Sequence, residues 1–380
     1  MGIPKYHKWL TERYPDAFAE AQREAADHVY VDINSQLHDC MRHATSKDGF
    51  FSHLFTKLDS LFRTVAPSKS VFLAVDGPAS CAKCLTQRQR RRAHAQKDAK
   101  TAKGGKANGK GKWGKGGKGA PAGPAAQLSN NMLTPGVPFM TELTRALEYY
   151  SASRMAPGGV FARCEAVTVS GAHAIGEGEH KIVSQMLRQA ARVAGEGRPA
   201  ESHVIFSGDA DIFLLSLVQS ACRRVRVVSE RPQEGGPNAG KRKRGMMLQI
   251  WNAEVLARHL HTELTRGPGL SRKASDEAAL RRDFALCSLF AGNDYLPELR
   301  CSLTPQKVWE QYLSLRRARF AKSPLVEASL AEEGLPASHS EGGWALDVGE
   351  EGSAFAVEPY EHYAFHQPLL LELMRAASGG

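Results

Sequence analysis

The chain reads as an α/β protein with a mostly parallel, doubly wound central sheet flanked by helices, and three observations predict this. Strand-length apolar runs alternate with segments of helical periodicity, the pattern of crossover-connected parallel strands. Several of these runs are too apolar to be surface, and each ends in an acid. His28–Val31 leads into Asp32, Ser70–Val75 into Asp76, and His203–Phe206 into Ser207-Gly208-Asp209-Ala210-Asp211. In open α/β sheets ligands bind outside the carboxyl ends of strands, so these acids are expected to share one crevice. At 380 residues the chain is long enough to bury a large core.

The elements follow in order. Pro4 opens a short amphipathic helix that Pro15 stops, with Tyr6, Trp9, Leu10 and Tyr14 on one face. A strand ends at Asp32, and a helical stretch runs through His38. Phe51, Leu54, Phe55, Leu58, Leu61, Phe62 and Val65 recur at helical spacing, which predicts a core-facing helix. Strand 70–75 precedes a very basic helix that starts near Lys83. Residues 98–126 are Gly, Lys, Ala and Pro and read as a disordered insert. Phe139, Leu143, Leu147 and Tyr150 mark the next helix, followed by strand 165–169, helix 178–193 and strand 203–206. Arg223–Ser229 and Met246–Trp251 read as strands joined by a polar loop. That loop holds Lys241-Arg242-Lys243-Arg244, either a solvated hairpin tip or a nuclear localisation patch. Helices are expected near 252–265, 275–291 and 305–320. Beyond 321 the pattern weakens to an extension in which Pro368–Ala377 reads as a terminal helix.

Composition narrows the class. An apolar fraction of 42% with 24% charged residues is that of a globular protein. No apolar stretch is long enough to span a bilayer, and the first residues lack a signal-peptide core. Seven scattered cysteines fit reduced thiols, so an intracellular protein of nucleus or cytoplasm is expected. Cys81-x-x-Cys84 has no second pair at zinc spacing. Of the net charge of +10, residues 97–119 carry +7, which is either a polyanion-seeking segment or a solubilising loop.

Seven carboxylates stand at predicted strand ends or helix starts: Asp32, Asp76, Glu177, Glu179, Asp209, Asp211 and Asp294. Taken singly, Glu177-Gly178-Glu179-His180 and Asp209-Ala210-Asp211 also fit helix caps, and Gly292-Asn293-Asp294 also fits a turn. Taken together they predict a cation site. Two carboxylates about 4 Å apart repel by roughly 4 kcal/mol at an effective dielectric near 20. Oxygen-only ligands select Mg²⁺, with Mn²⁺ as the alternative, and a two-metal phosphodiesterase site is the chemistry this suggests.

The second constellation is basic. Lys83, Gln87, Arg90 and Arg91 fall at i, i+4, i+7 and i+8, hence on one helix face. Such a face is ordinarily solvated. Its start seven residues after Asp76 instead suits a terminal phosphate held beside metals.

These blocks resemble the Xrn family of 5′→3′ exoribonucleases. The resemblance runs through Met1–Pro15, Val31-Asp32-Ile33-Asn34 with His38, Val75-Asp76-Gly77 with Ala82-Lys83, and Gln87–Arg92. It continues through Gly176–Lys181, Asp209-Ala210-Asp211 and Gly292–Pro297, and covers about residues 1–315 as ordered blocks. It implies a PIN/flap-nuclease-like core in an N-terminal nuclease domain over 1–320, followed by a 321–380 extension. It further implies that the seven acids surround two Mg²⁺ ions. By the same analogy Lys83, Gln87, Arg90 and Arg91 hold a 5′-monophosphate, and His38 stacks on the terminal base. Without the family, His38 reads as an ordinary helical residue. The implied activity is processive or stepwise hydrolysis of single-stranded 5′-monophosphorylated RNA to nucleoside 5′-monophosphates, in RNA decay or processing.

Departures from the family are Cys81 in place of an arginine and Ile175 in place of a proline. No counterpart of the family's second characteristic block, which supplies an aromatic opposite the histidine, is legible after 315. Trp251, Trp309 and Trp344 do not match it. A DNA flap or 5′-nuclease and a catalytically weak RNA-binding paralogue are the rival readings.

Overall fold

The computed structural model describes residues 3, 6–80, 83, 87–89, 91–93, 96, 128–232, 246–266, 276–293, 295–296, 303–329 and 362–378. The insert 98–126, the Cys81/Cys84 pair, Lys241–Arg244, Trp344, Arg90 and Asp294 lie outside these residues. Two compact units divide the chain: Met1–His259 with Ala291–Leu299, and Leu260–Phe290 with Arg300–Gly380.

In the first unit, helix α1 (Tyr6–Arg13) buries Tyr6 and Leu10, and a 3-10 turn beginning at Pro15 follows it. Strand β1 (Phe18–Glu20) precedes β2 (Glu24–Asp32). Val29, Tyr30 and Val31 of β2 are at most 1% exposed, as a central parallel strand covered on both faces requires. Helix α2 (Asn34–His43) carries His38. Helix α3 (Lys47–Thr64) is capped by Ser46, whose side chain accepts from the Gly49 N–H, and it turns Phe50, Leu54, Leu58, Leu61 and Phe62 inward. Its stripe ends one residue earlier than expected. Val65 instead opens β3 (Val65–Ala74), pairing with Glu24 at the start of β2, whose register to β3 shifts between Ala26 and His28.

Helix α4 (Pro138–Met155), strand β4 (Ala166–Ser170), helix α5 (Gly178–Gly195) and strand β5 (His203–Phe206) follow. Helix α6 (Asp211–Val218), strands β6 (Val225–Pro232) and β7 (Met246–Asn252) and helix α7 (Ala253–Thr265) come next.

The seven-stranded sheet has the order β1-β7-β6-β5-β2-β3-β4. β6, β5, β2, β3 and β4 are mutually parallel, and β7 and β1 add an antiparallel edge. The sheet is therefore mostly parallel, as the alternating pattern predicts. Register places the chemistry: Val31 lies opposite both Leu73 and Phe206. The residues that follow these three positions, Asp32, Asp76 and Asp209 among them, leave the sheet at one carboxyl edge. Trp251 is buried core beside Phe213, with ring centroids 5.1 Å apart.

The second unit holds α8 (Glu277–Leu289), α9 (Pro305–Ala318), the hairpin β8 (Val326–Ser329) with β9 (His362–Phe365), and α10 (Gln367–Ser378). Its centre is a buried carboxylate that the sequence pattern did not mark. Asp283 accepts from Tyr312 Oη, from Arg316 Nη1 at 3.2 Å, and from the Leu325 and Val326 N–H groups at 2.9 and 2.8 Å. Trp309 is fully buried and donates to Glu263 at 2.8 Å. Among the described residues no helix is long and apolar enough to cross a membrane.

Candidate active site

Asp32 closes β2 and is 3% exposed. Its Oδ1 accepts from the Asn34 N–H at 3.1 Å and its Oδ2 from Ser207 Oγ at 2.9 Å. Asn34 Oδ1 in turn accepts from the Asp76 N–H at 3.0 Å, which ties the ends of β2 and β3 together. Ser207 Oγ also accepts from the Asp209 N–H at 3.2 Å. Asp76 Oδ1 takes the Gly178 N–H at 2.6 Å, at the start of α5. Four chain segments, after β2, after β3, after β5 and at the start of α5, thus meet through short polar contacts. Lys181 on α5 secures the same corner: its Nζ donates to the Val75 and Gly171 carbonyls at 2.8 and 3.0 Å.

Glu177 occupies the N-cap of α5 and Ala210 that of α6, and neither makes a side-chain cap bond. Glu177 is 5% exposed, and its Oε2 takes Lys83 Nζ at 2.7 Å and the Tyr295 hydroxyl at 2.6 Å. Its Oε1 has Gln87 Nε2 at 3.5 Å. Ligand atoms of Glu177, Glu179 and His180 lie within 4.8 Å of one another.

The electrostatics are those of crowded acids. Burial, reinforced by the Asp76 and Asp209 charges, pushes Asp32 up to about 8. Burial also pushes Glu179 up to about 8; Lys83 pulls the other way, while Asp211, Asp209 and Glu177 add to the rise. Asp76 is raised by burial and by Glu177 and Asp209, against the Gly178 hydrogen bond and Lys83. Asp32, Asp76, Glu177, Glu179, Asp209 and Asp211 therefore belong to one electrostatic cluster of oxygen donors, and this donor set fits hard divalent cations. Backbone space is part of the design. A Cβ on Gly178 would lie 2.9 Å from Asp32 Oδ1 and 3.3 Å from Asp76 Oδ1. Gly178→Ala is accordingly expected to weaken Mn²⁺ binding about tenfold in a calorimetric titration.

Of the basic face, Lys83 and Gln87 reach Glu177. Arg91 is exposed and donates Nε–H to the Gln87 carbonyl at 3.4 Å. His38 is exposed on α2, its Nδ1 3.2 Å from Asn130 Oδ1. Tyr295, Asn34, Ser207 and Lys181 were given no role by sequence reasoning, although each sits within two residues of a marked acid. A second His/Asp group, Asp39 with His43 and His53, is already satisfied. Burial pushes Asp39 up, but hydrogen bonds from Lys57 and Arg42 win and hold it at about 2.

A parallel sheet whose carboxyl edge gathers buried acids beside basic residues defines an acidic site in an α/β protein, of a donor set that suits divalent cations. Residues 1–231 match the family model described as XRN 5'-3' exonuclease N-terminus, and the chain belongs to that family. It is similar to 5'-3' exoribonuclease 1 of Schizosaccharomyces pombe, 28% identical over 312 residues, covering 79% of this chain and 22% of that protein. It is similar to 5'-3' exoribonuclease 1 of Homo sapiens, 28% identical over 316 residues, covering 79% of this chain and 17% of that protein. With 5'-3' exoribonuclease 2 of Arabidopsis thaliana the figures are 28% over 387 residues, 87% and 38%. The chain thus spans well under half the length of these relatives. Among solved structures it is similar to the catalytic core of Rad2 in complex with DNA substrate, at 13% identity and a TM-score of 0.38, covering 83% of this chain and 69% of that one.

Proposed function

We propose that the chain hydrolyses single-stranded RNA from a 5′-monophosphate end and releases nucleoside 5′-monophosphates. The observation that carries this reading is the 2.7 Å contact between Lys83 and Glu177, where the basic face touches the acid cluster. Family membership supports it. Asp32, Asp76, Glu177, Glu179, Asp209 and Asp211 would hold two Mg²⁺ or Mn²⁺ ions, and Asp294 joins them in the proposal. Cations bound there supply a water-derived nucleophile near neutral pH and charge for the leaving oxygen.

The chain's own groups do the rest. Lys83, Gln87 and Arg91, with Arg90, grip the terminal phosphate and set the register of cleavage. A bidentate guanidinium and a point-charge ammonium suit a dianionic terminus and disfavour a bulky capped one. His38 presents its ring to the terminal base, with Asn130 fixing the ring's orientation. Cys40, Cys164, Cys222 and Cys287 are free thiols, in keeping with an intracellular site of action.

The test is a time course with Mg²⁺ on end-labelled 5′-phosphorylated RNA, 5′-hydroxyl RNA and DNA. Mononucleotide release is expected to be fastest from 5′-phosphorylated RNA. Lys83→Ala is expected to cut that preference at least tenfold, the loss of a buried charged partner. Equal rates on the two RNA ends reject the clamp, and faster DNA cleavage moves the assignment to a flap or 5′-nuclease. No decay of any substrate rejects catalysis.

A further inference from the structure

Glu177 Oε2 receives two donors, and one of them does not belong to the basic face. The Tyr295 hydroxyl lies 2.6 Å from this oxygen, and the ring of the same tyrosine lies 5.2 Å below Lys83 Nζ. One side chain therefore touches a candidate metal ligand through its hydroxyl and a candidate phosphate-gripping cation through its π face. A third contact fixes its outer edge, where the His180 ring meets it edge-on at 6.0 Å.

The local chain holds Tyr295 in this pose. Asn293 Oδ1 accepts from the Tyr295 N–H at 2.9 Å and the Leu296 N–H at 2.7 Å, while the Asn293 N–H returns to the Leu296 carbonyl at 2.9 Å. Gly292 allows the turn with φ of 79°.

From this geometry we infer that Tyr295 is a positioning residue that orients Glu177 toward cations and Lys83 toward the terminal phosphate. The inference rests on the proposed exonuclease reading and deepens it. With Oε2 turned to Tyr295 and Lys83, Oε1 has just the long 3.5 Å approach of Gln87 among the described residues, and it is the oxygen left to face a cation. When a cation draws on Glu177, Lys83 keeps its seat over the ring. The two halves of the site, ion holding and end recognition, are thereby linked through one phenol.

The two contacts are separable by substitution. Tyr295→Phe removes the hydroxyl and keeps the ring, whereas Tyr295→Leu removes both. Outer-shell partners of metal ligands are typically worth 10–100-fold in affinity. In the full chain, Tyr295→Phe is expected to weaken Mn²⁺ binding about tenfold, read by electron paramagnetic resonance of free Mn²⁺. It should keep the preference for a 5′-phosphorylated over a 5′-hydroxyl oligoribonucleotide, read by fluorescence anisotropy in Ca²⁺. Tyr295→Leu is expected to lose both, a split that general loosening of the fold would not produce. Tyr295→Phe with wild-type Mn²⁺ affinity overturns the inference, as does Tyr295→Leu with an intact end preference. A wild-type chain that binds no Mn²⁺ removes the exonuclease reading as well, which separates the two failures.

Discussion

Asp32→Asn is expected to yield a chain that melts higher without metal and lacks the proposed release of nucleotides from RNA. The two effects have one origin. Asp32 is 3% exposed, and burial with the Asp76 and Asp209 charges pushes its carboxyl from 3.8 up to about 8. At pH 7 the metal-free fold must keep this group protonated while the unfolded chain ionises it freely. That difference costs on the order of 4 kcal/mol as a ceiling. Asparagine has the same shape, keeps an oxygen for the Asn34 N–H, and can donate to Ser207 Oγ, so the packing survives. A rise in Tm of several degrees is expected in EDTA. Loss of an anionic ligand at the centre of the cluster is expected to reduce mononucleotide release by about a thousandfold or more. A variant that loses activity and also melts lower in EDTA would show that the acid cluster is not a source of strain. This is the stability–activity trade-off expected where a site concentrates like charge.

The second large effect is the pH dependence of metal-free stability. Asp32 and Glu179 both have folded values of about 8, well above their unfolded 3.8 and 4.5. Between those limits the folded chain binds more protons than the unfolded one, so raising the pH favours unfolding. Their contribution is fully present below about pH 4 and is lost as the pH rises through 8. His7 and His203 act in the opposite sense at lower pH. Burial holds both at about 4 against 6.5 unfolded, so they cost stability below about pH 6.5. The clean comparison is therefore pH 7 against pH 8.5. In EDTA the Tm is expected to fall across that interval, with a slope approaching about 1.4 kcal/mol per pH unit for each of the two groups. Mn²⁺ or Mg²⁺ bound at the proposed site would displace those protons, so the Tm gain on adding metal is expected to be larger at pH 8.5 than at pH 7. A metal-free Tm that rises over this interval, or a metal gain that shrinks, would dissolve the argument.

The strands and the long helices were legible because their signals are local. The apolar run His203–Phe206 is β5 in the structure with the same bounds, and the stripe of α3 is helical except at Val65. β1 was missed because three residues carry no period; its pairing with β7 comes from tertiary contact. Asp283 was missed for a related reason. It sits inside the helical pattern 277–289 and looks like a surface acid until Tyr312, Arg316 and the backbone of Leu325 and Val326 close around it.

At the candidate site Asp32, Asp76 and Asp209 were legible from their place after apolar runs, and the sheet register explains why they leave at one edge. The connecting groups were not. Asn34, Ser207, Lys181 and Tyr295 act by hydrogen bonds across 42, 175, 106 and 118 positions of sequence, distances over which no spacing rule operates.

The order of strands bears on how such a pocket comes into being. β5 lies between β2 and β6, yet more than 170 residues separate Val31 from its partner Phe206. A ribosome would expose Asp32 and Asp76 long before the central strand that completes their surroundings. Closing a contact of that span is entropically slow. Nascent chains would hold their acids apart and solvated until β5 slots into the gap, so a half-made polypeptide cannot assemble the cation pocket. Timing is thus written into topology: the acids of this edge can gather once β5 has been made.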